Sequence, residues 1–269
     1  MFLRYIASQS FMIVAGDLLG LSKSSAHRAI HAVMDEIVKL HDLYIKFPDD
    51  LAPLETKFRQ KSGLPGFVGA IDCTQIKIQN PCRQNGEIFR NRKGFFSINV
   101  QAVCDTDLRF MDVVCQWPGS VHDSRIFANS RLKLSLDSGL IRGRLLGDAG
   151  YPLLPYLIVP YPTQNSTPQQ RRFNHAHSRA RMAIEKSFGV LKRRFPGLKN
   201  EIRLTDPTEI CKLIHSSFIL HNMCILHNDE DDFDDIADVE EGLVDDRAHA
   251  DEQVHQAHQI RDELRRLLQ

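Results

Sequence analysis

The chain has 269 residues, 42% of them hydrophobic and 25% charged, enough for one main domain with a sizeable core and a smaller one beside it. Its 34 basic and 34 acidic side chains balance to a formal charge of zero, and no apolar run approaches the roughly 18 to 20 residues that span a bilayer, so no membrane association is expected. Six cysteines without a Cys-x-x-Cys pair, and an amino end without the pattern of a secretory signal, point to a reducing interior rather than a secreted disulfide scaffold.

From the amino end, residues 1–47 read as a small helical region. Within it, Met12 to Leu40 has the pattern of a helix-turn-helix. Val14, Ala15, Leu18 and Leu19 give a short apolar face and Gly20 breaks it. Ser22 or Ser24 can then cap a second helix in which Ala26, Ile30, Val33, Met34 and Ile37 recur at helical spacing. Lys23, His27, Arg28 and His31 fall on or near the exposed start of that helix, where such units place side chains that meet a DNA groove or phosphates. An ordinary helical hairpin has the same glycine turn, so DNA contact by Lys23, His27 and Arg28 and plain packing both fit. Residues 48–66, rich in Pro, Gly and charge, read as a connector.

Beyond the connector the pattern changes to strands. Phe67 to Ile78, Phe95 to Cys104 and Phe110 to Trp117 are rich in Val, Ile and Phe, with Asp105-Thr106-Asp107 as a hairpin turn between the second and third. Ser120 to Leu136 looks helical, Arg144 to Asp148 is a fourth strand and Leu157 to Pro160 a short fifth. Pro160 to Arg172 contains three prolines and reads as a loop, while His177 to Phe195 and Pro207 to His227 read as helices.

Three acids stand in unlike settings along these elements. Asp72 and Asp148 end or interrupt apolar strand-like runs, and Glu185 sits in an amphipathic helix. An acid directly behind an apolar run needs a compensating partner, and a divalent cation is one such partner. Convergence of the three would make an all-oxygen site suited to Mg²⁺ or Mn²⁺, ions that also bind phosphates, and so points to phosphoryl transfer. Plainer readings exist: a strand-end turn for Asp72, an Asp-Ala-Gly turn for Asp148, and an ion pair with Arg181 for Glu185. Cys211, His215, His221 and Cys224 have zinc-binding side chains, but one uninterrupted helix cannot aim all four at a tetrahedral ion, so they read as packing residues.

Basic side chains surround these acids in sequence. Arg90, Arg92 and Lys93 precede the second strand, and Lys192, Arg193 and Arg194 follow Glu185 by about two helical turns. They suit phosphate contacts, with a solvated charged face as the alternative. His175 and His177 could contact phosphate or simply pack. From Asp229 to Asp246 the chain has eleven acids and no Lys or Arg, whereas residues 1–228 hold 30 basic and 19 acidic side chains. The body is therefore basic, which fits a polyanionic partner or scattered solubilising charge. The acidic stretch in 229–269 reads as disordered, and Gln256 to Leu268 could form a short closing helix.

Three antiparallel strands, a helix, a further strand and then helices is the order of a ribonuclease H-like α/β domain, here 67–228. In that architecture acids stand on the first strand, after the fourth and on a later helix, the places of Asp72, Asp148 and Glu185. Four blocks sharpen the likeness: Gly69-Ala70-Ile71-Asp72-Cys73-Thr74, Trp117-Pro118-Gly119-Ser120-Val121-His122-Asp123-Ser124-Arg125, Leu145-Leu146-Gly147-Asp148-Ala149-Gly150-Tyr151-Pro152, and the run from Ile184 to Phe195. In order and spacing they resemble the PIF/Harbinger transposases and the Harbinger transposase-derived nucleases, from about Tyr5 to His227.

The resemblance implies a nuclear DDE-type nuclease that cleaves DNA phosphodiesters with two metal ions, its triad carried by Asp72, Asp148 and Glu185 and Asp123 as a further ligand. In that scheme Asp72 bridges the ions, and Asp148 and Glu185 complete separate ones. Asp123 has its own alternative, a first-turn acid stabilised by a helix dipole. The resemblance also implies a separate Myb-like DNA-binding partner, and a homo-oligomer is compatible with it. The competing functions are a retired transposase that only binds DNA or protein, and a metal-dependent phosphoesterase for small substrates. Intact acids favour the nuclease over the first, and the basic body favours DNA over the second.

Overall fold

The runs rich in Val, Ile and Phe form five strands: β1 (Phe67–Lys77), β2 (Ser97–Cys104), β3 (Phe110–Pro118), β4 (Arg144–Leu146) and β5 (Leu157–Ile158). They are seen in a computed structural model that describes residues 1–8, 11–81, 86–229 and 252–268. The sheet order is β3-β2-β1-β4-β5. β1, β2 and β3 are antiparallel neighbours, and β4 and β5 join parallel to β1. Every residue of β2 is buried, so helices cover both faces of the sheet. The hairpin between β2 and β3 turns at Asp105, whose carboxylate accepts the N–H groups of Asp107 (2.8 Å) and Arg109 (2.9 Å), with Leu108 in the left-handed region (φ 68°). This mixed sheet between helices is the ribonuclease H-like α/β arrangement that the element order predicts.

Five helices precede the sheet: α1 (Phe2–Ser8), α2 (Met12–Asp17), α3 (Lys23–Val38), α4 (His41–Tyr44) and α5 (Ala52–Ser62). Ser22 caps α3, its hydroxyl accepting the Ser25 N–H at 3.2 Å. The expected connector 48–66 is instead largely α5. Pro53 stands in its first turn, where no donor is missed, Leu54 and Phe58 bury its inner face, and Gly63 ends it at φ 76°. Phe2, Ile6, Ile30, Met34 and Phe58 share one continuous core with the sheet. The amino-terminal helices are thus docked on the α/β body.

On one face of the sheet lie α6 (Asp123–Ala128) and α7 (Arg131–Asp137). They split the single helix expected over Ser120 to Leu136, because the Ser130 hydroxyl accepts the Lys133 N–H and starts a new helix. The other face carries α8 (Pro168–Arg194), the short α9 (Pro196–Lys199) and α10 (Pro207–Leu226). α8 begins inside the expected loop: Thr167 and Gln170 form a reciprocal capping box, and Pro168 is harmless in the first turn. Phe110 of β3 packs on Phe188 of α8 and Phe218 of α10, with ring centroids 5.7 and 4.5 Å away. The closing helix α11 (Glu252–Arg266) lies on α8; its Ala257 and Leu264 are buried, and its Arg261 donates to the Val159 and Pro160 carbonyls just past β5. The acidic stretch expected to be disordered lies, after Asp229, outside the described residues. Among the described residues no helix is long and apolar enough to cross a membrane.

Candidate metal centre

Parallel pairing brings two of the acids together. Ala70 of β1 lies opposite Leu146, the last residue of β4, so Asp72 within β1 and Asp148 just past β4 each follow that pair by two residues, the two strands lying about 4.8 Å apart. Asp123 arrives from β3 as the first residue of α6, and its loop is pinned to the sheet. The Gly119 N–H donates to the Ser97 carbonyl (2.8 Å). The amide of buried Asn99 donates to both the Val121 carbonyl (2.8 Å) and Asp123 Oδ1 (2.9 Å). A Cβ on residue 119 would meet the Phe89 and Ser97 carbonyls at 2.8 and 2.9 Å, so this approach requires glycine. One carboxylate oxygen from each of Asp72, Asp123 and Asp148 lies within 4.8 Å of the other two.

Like charges this close resist ionisation together. Burial, and next the neighbouring Asp148 carboxylate, push the Asp72 pKa up to about 7, against the opposing pull of Arg181 and the Cys73 N–H. Asp148 is raised as well, by burial and then by Asp123, while Arg181 and the Gly150 N–H oppose the rise. The donor set is oxygen only and short of positive charge, which fits a hard divalent cation such as Mg²⁺ or Mn²⁺.

Glu185 stands outside this three-acid group and is tied to it through one guanidinium. Arg181 donates from Nη1 to Asp72 Oδ2 (2.7 Å) and from Nη2 to Glu185 Oε1 (2.5 Å). The ion-pair reading of Glu185 and the first-turn reading of Asp123 both describe real features; Asp123 stays within the three-acid group, and Glu185 does not join it. Two contributors were missed in the sequence. Asn99 had a faint signal, a polar side chain at every second position of the Ser97-Ile98-Asn99-Val100-Gln101 run. Arg181 was visible only as a partner of Glu185, since its bond to Asp72 spans 109 residues.

The basic candidates fall into three groups. Lys23, His27 and Arg28 are exposed on the first turns of α3. His31, expected near that exposed start, is half-buried and bonded to Glu209 of α10 at 2.5 Å. Arg92 and Lys93 are exposed on the loop before β2, and Arg92 contacts the ring of His122, the residue before Asp123 (Nη2 to Nε2 2.8 Å). That loop is fixed by Asn91, whose amide donates to Ser97 Oγ (3.0 Å), and Ser97 in turn donates to Gln75 (2.6 Å). Lys192, Arg193 and Arg194 are half-buried in the last turn of α8, and Arg194 donates to the Asp229 carbonyl at 2.9 Å.

His177, His215, His221 and Cys211 are engaged elsewhere. His177 is buried against the Ile158 carbonyl (2.9 Å), and burial takes its pKa down to about 4; His175 is exposed on α8. Along α10, His215 meets His41, His221 meets the Leu108 carbonyl and Cys211 lies against Cys115.

Comparison with known proteins agrees with this geometry. The family model described as "DDE superfamily endonuclease" matches residues 71–222. The human protein "Putative nuclease HARBI1" is 32% identical over 232 residues, covering 84% of this chain and 66% of the relative. The Arabidopsis thaliana "Protein ALP1-like" is 28% identical over 243 residues, covering 85% of this chain and 60% of the relative. The chain thus spans about 60 to 66% of the length of these curated relatives. No solved structure matches it. With the family match covering more than half of its residues, the chain belongs to the DDE superfamily endonucleases.

Proposed function

We propose that this chain cleaves DNA phosphodiester bonds with Mg²⁺ or Mn²⁺ held by Asp72, Asp123 and Asp148, with Glu185 completing the site beside them. The meeting of three carboxylate oxygens within 4.8 Å carries this reading. A bound ion would supply an activated water and offset the charge that develops on the phosphate. The chain's own residues prepare that chemistry. Asn99 fixes the Asp123 carboxylate, and the N–H groups of Cys73 and Gly150 orient Asp72 (2.7 Å) and Asp148 (3.0 Å). Each acid is thereby held before substrate arrives.

Around the acids, Arg92 and Lys93 on one side and Lys192, Arg193 and Arg194 on the other would follow the phosphate backbone, and Lys23, His27 and Arg28 on α3 would add a second DNA contact. DNA as substrate makes the nucleus the place of action, and a Myb-like protein would supply target recognition. Both the metal and the DNA are tested by incubating the full chain with plasmid DNA in Mg²⁺, in Mn²⁺ and in EDTA, beside Asp72→Asn. Nicking that needs the ion and Asp72 is expected; equal nicking in EDTA or by the variant overturns the proposal. One observation favours the second reading, a DNA-binding module without turnover: Glu185 is committed to Arg181 rather than to the three-acid group. DNA binding with no nicking under any ion would establish it.

A further inference from the structure

We infer that Arg181 holds the place of a second cation between Asp72 and Glu185, and surrenders it when a DNA phosphate offers its guanidinium another acceptor. The inference rests on the metal-site reading above. Its basis is the position of one planar fork, whose two outer nitrogens reach two different acids from two different elements, β1 and α8. Asp72 is already engaged at both oxygens, by the Cys73 N–H at Oδ1 and by Arg181 at Oδ2.

Each carboxylate oxygen has two lone pairs, so an ion on the Asp123 and Asp148 side can be accepted with Arg181 in place. A cation shared by Asp72 and Glu185 cannot. It would sit between the two carboxylates that Arg181 already bridges and would face that fixed positive charge a few ångströms away. The obstruction is a side chain, not the helix. α8 is anchored by buried Ala180, Ala183, Ile184 and Phe188, whereas the Arg181 side chain is 20% exposed and can rotate about its own torsions. A phosphodiester presents the oxygen pair that a guanidinium fork matches. Phosphate binding and entry of the second ion are therefore linked, each favouring the other by the same factor.

The test is a Mn²⁺ titration of the full chain, read by electron paramagnetic resonance and by calorimetry, on the wild type, Arg181→Gln, Arg181→Lys, Asp72→Asn and the double variant Arg181→Gln with Glu185→Gln. Arg181→Gln should gain one bound ion over the wild type, or bind it on the order of 5- to 150-fold more tightly. The double variant should lose that gain, and Arg181→Lys, which keeps the charge without the fork, should fall between. In EDTA the melting temperature of Arg181→Gln should drop, and Mn²⁺ should raise it by more than it raises the wild type's. Adding duplex DNA, at a concentration that shifts the wild type in a gel, should let the wild type take up the extra ion. Equal ion number and affinity in wild type and Arg181→Gln would overturn the inference while leaving the metal site intact. No extra ion with DNA would overturn the phosphate exchange. Unaltered Mn²⁺ binding by Asp72→Asn would overturn the metal-site reading, and this inference with it.

Discussion

In the middle of β1 and just past β4, acids lie beside acids, whereas along α10 His215 and His221 each lie beside a partner that suits the neutral form. His215 Nε2 meets His41 Nδ1 at 2.6 Å, His221 Nε2 meets the Leu108 carbonyl at 2.8 Å, and burial lowers both His215 and His221 to about 4. Asn222 completes this seam, its amide serving the Tyr44 and Phe110 carbonyls and its oxygen the Phe110 N–H. The seam joins the amino-terminal helices to the α/β body through neutral partners, with the buried His221 Nδ1 left without a bond among the described residues. The three-acid group instead sets like charges together: Asp72 is raised by burial and then by the Asp148 carboxylate, whereas buried Asp112 is raised by burial alone. Crowded like charge thus makes the three-acid group the candidate site, whereas the α10 seam pairs its buried groups with neutral partners and reads as architecture.

The strongest way to break this contrast is Asp148→Asn, which keeps an oxygen for the Gly150 N–H and removes one of the crowded charges. Nicking should fall by about 10³-fold, the scale of losing an electrostatic group at a reacting centre, while the melting temperature in EDTA at pH 8 stays level or rises. A clear loss of stability would show that the acids support the fold. The complementary change is Asn222→Ala, which leaves the Phe110 N–H and two carbonyls without their partner. Urea unfolding should show a loss of about 2 to 3 kcal/mol, with Mn²⁺ affinity unchanged; a matching loss of Mn²⁺ affinity would merge the two regions.

Acidity should separate them next. His215 and His221 have folded pKa values below the unfolded value of about 6.5, so their contribution is complete above that pH and fades as pH falls from about 6.5 toward 4. Asp72 has the opposite sign: raised to about 7, it takes up protons in the folded state first and weakens the fold as pH rises from about 4 toward 7. Melting curves in EDTA should therefore steepen below pH 6.5 in Asp148→Asn, where relief of the acids leaves the histidines to dominate. An unchanged pH profile would remove the acids from the balance. The smallest effect is expected at α3, where Lys23→Ala with Arg28→Ala should weaken duplex binding and flatten its salt dependence by about two units of slope. Unaltered binding would assign α3 to architecture alone.

Much of this was legible in the chain because it is local. Alternation of Val, Ile and Phe marks β1 to β3, and the places of Asp72 and Asp148 follow from acids set at the ends of apolar runs. What escaped depends on capping or on distance. Pro53 and Pro168 read as breakers, yet each sits in a first turn where proline is tolerated, so the proline pattern alone hides α5 inside a connector and the start of α8 inside a loop. Asn99 and Arg181 act on carboxylates 24 and 109 residues away, and only the assembled sheet reveals those bonds. The seat of α3 on α10 was equally hidden, because His31–Glu209 and Lys212–Asp35 pair residues from opposite ends of the chain.

That seat has a geometric outcome. Since α10 supports both α3 and β3, any duplex gripped by Lys23 and Arg28 meets the acids at an offset set by rigid packing rather than by a tether. Under the proposed function the molecule would act as a ruler: breaks should fall at a constant number of base pairs from the gripped segment, and loosening the seam should blur that register before it slows the cut.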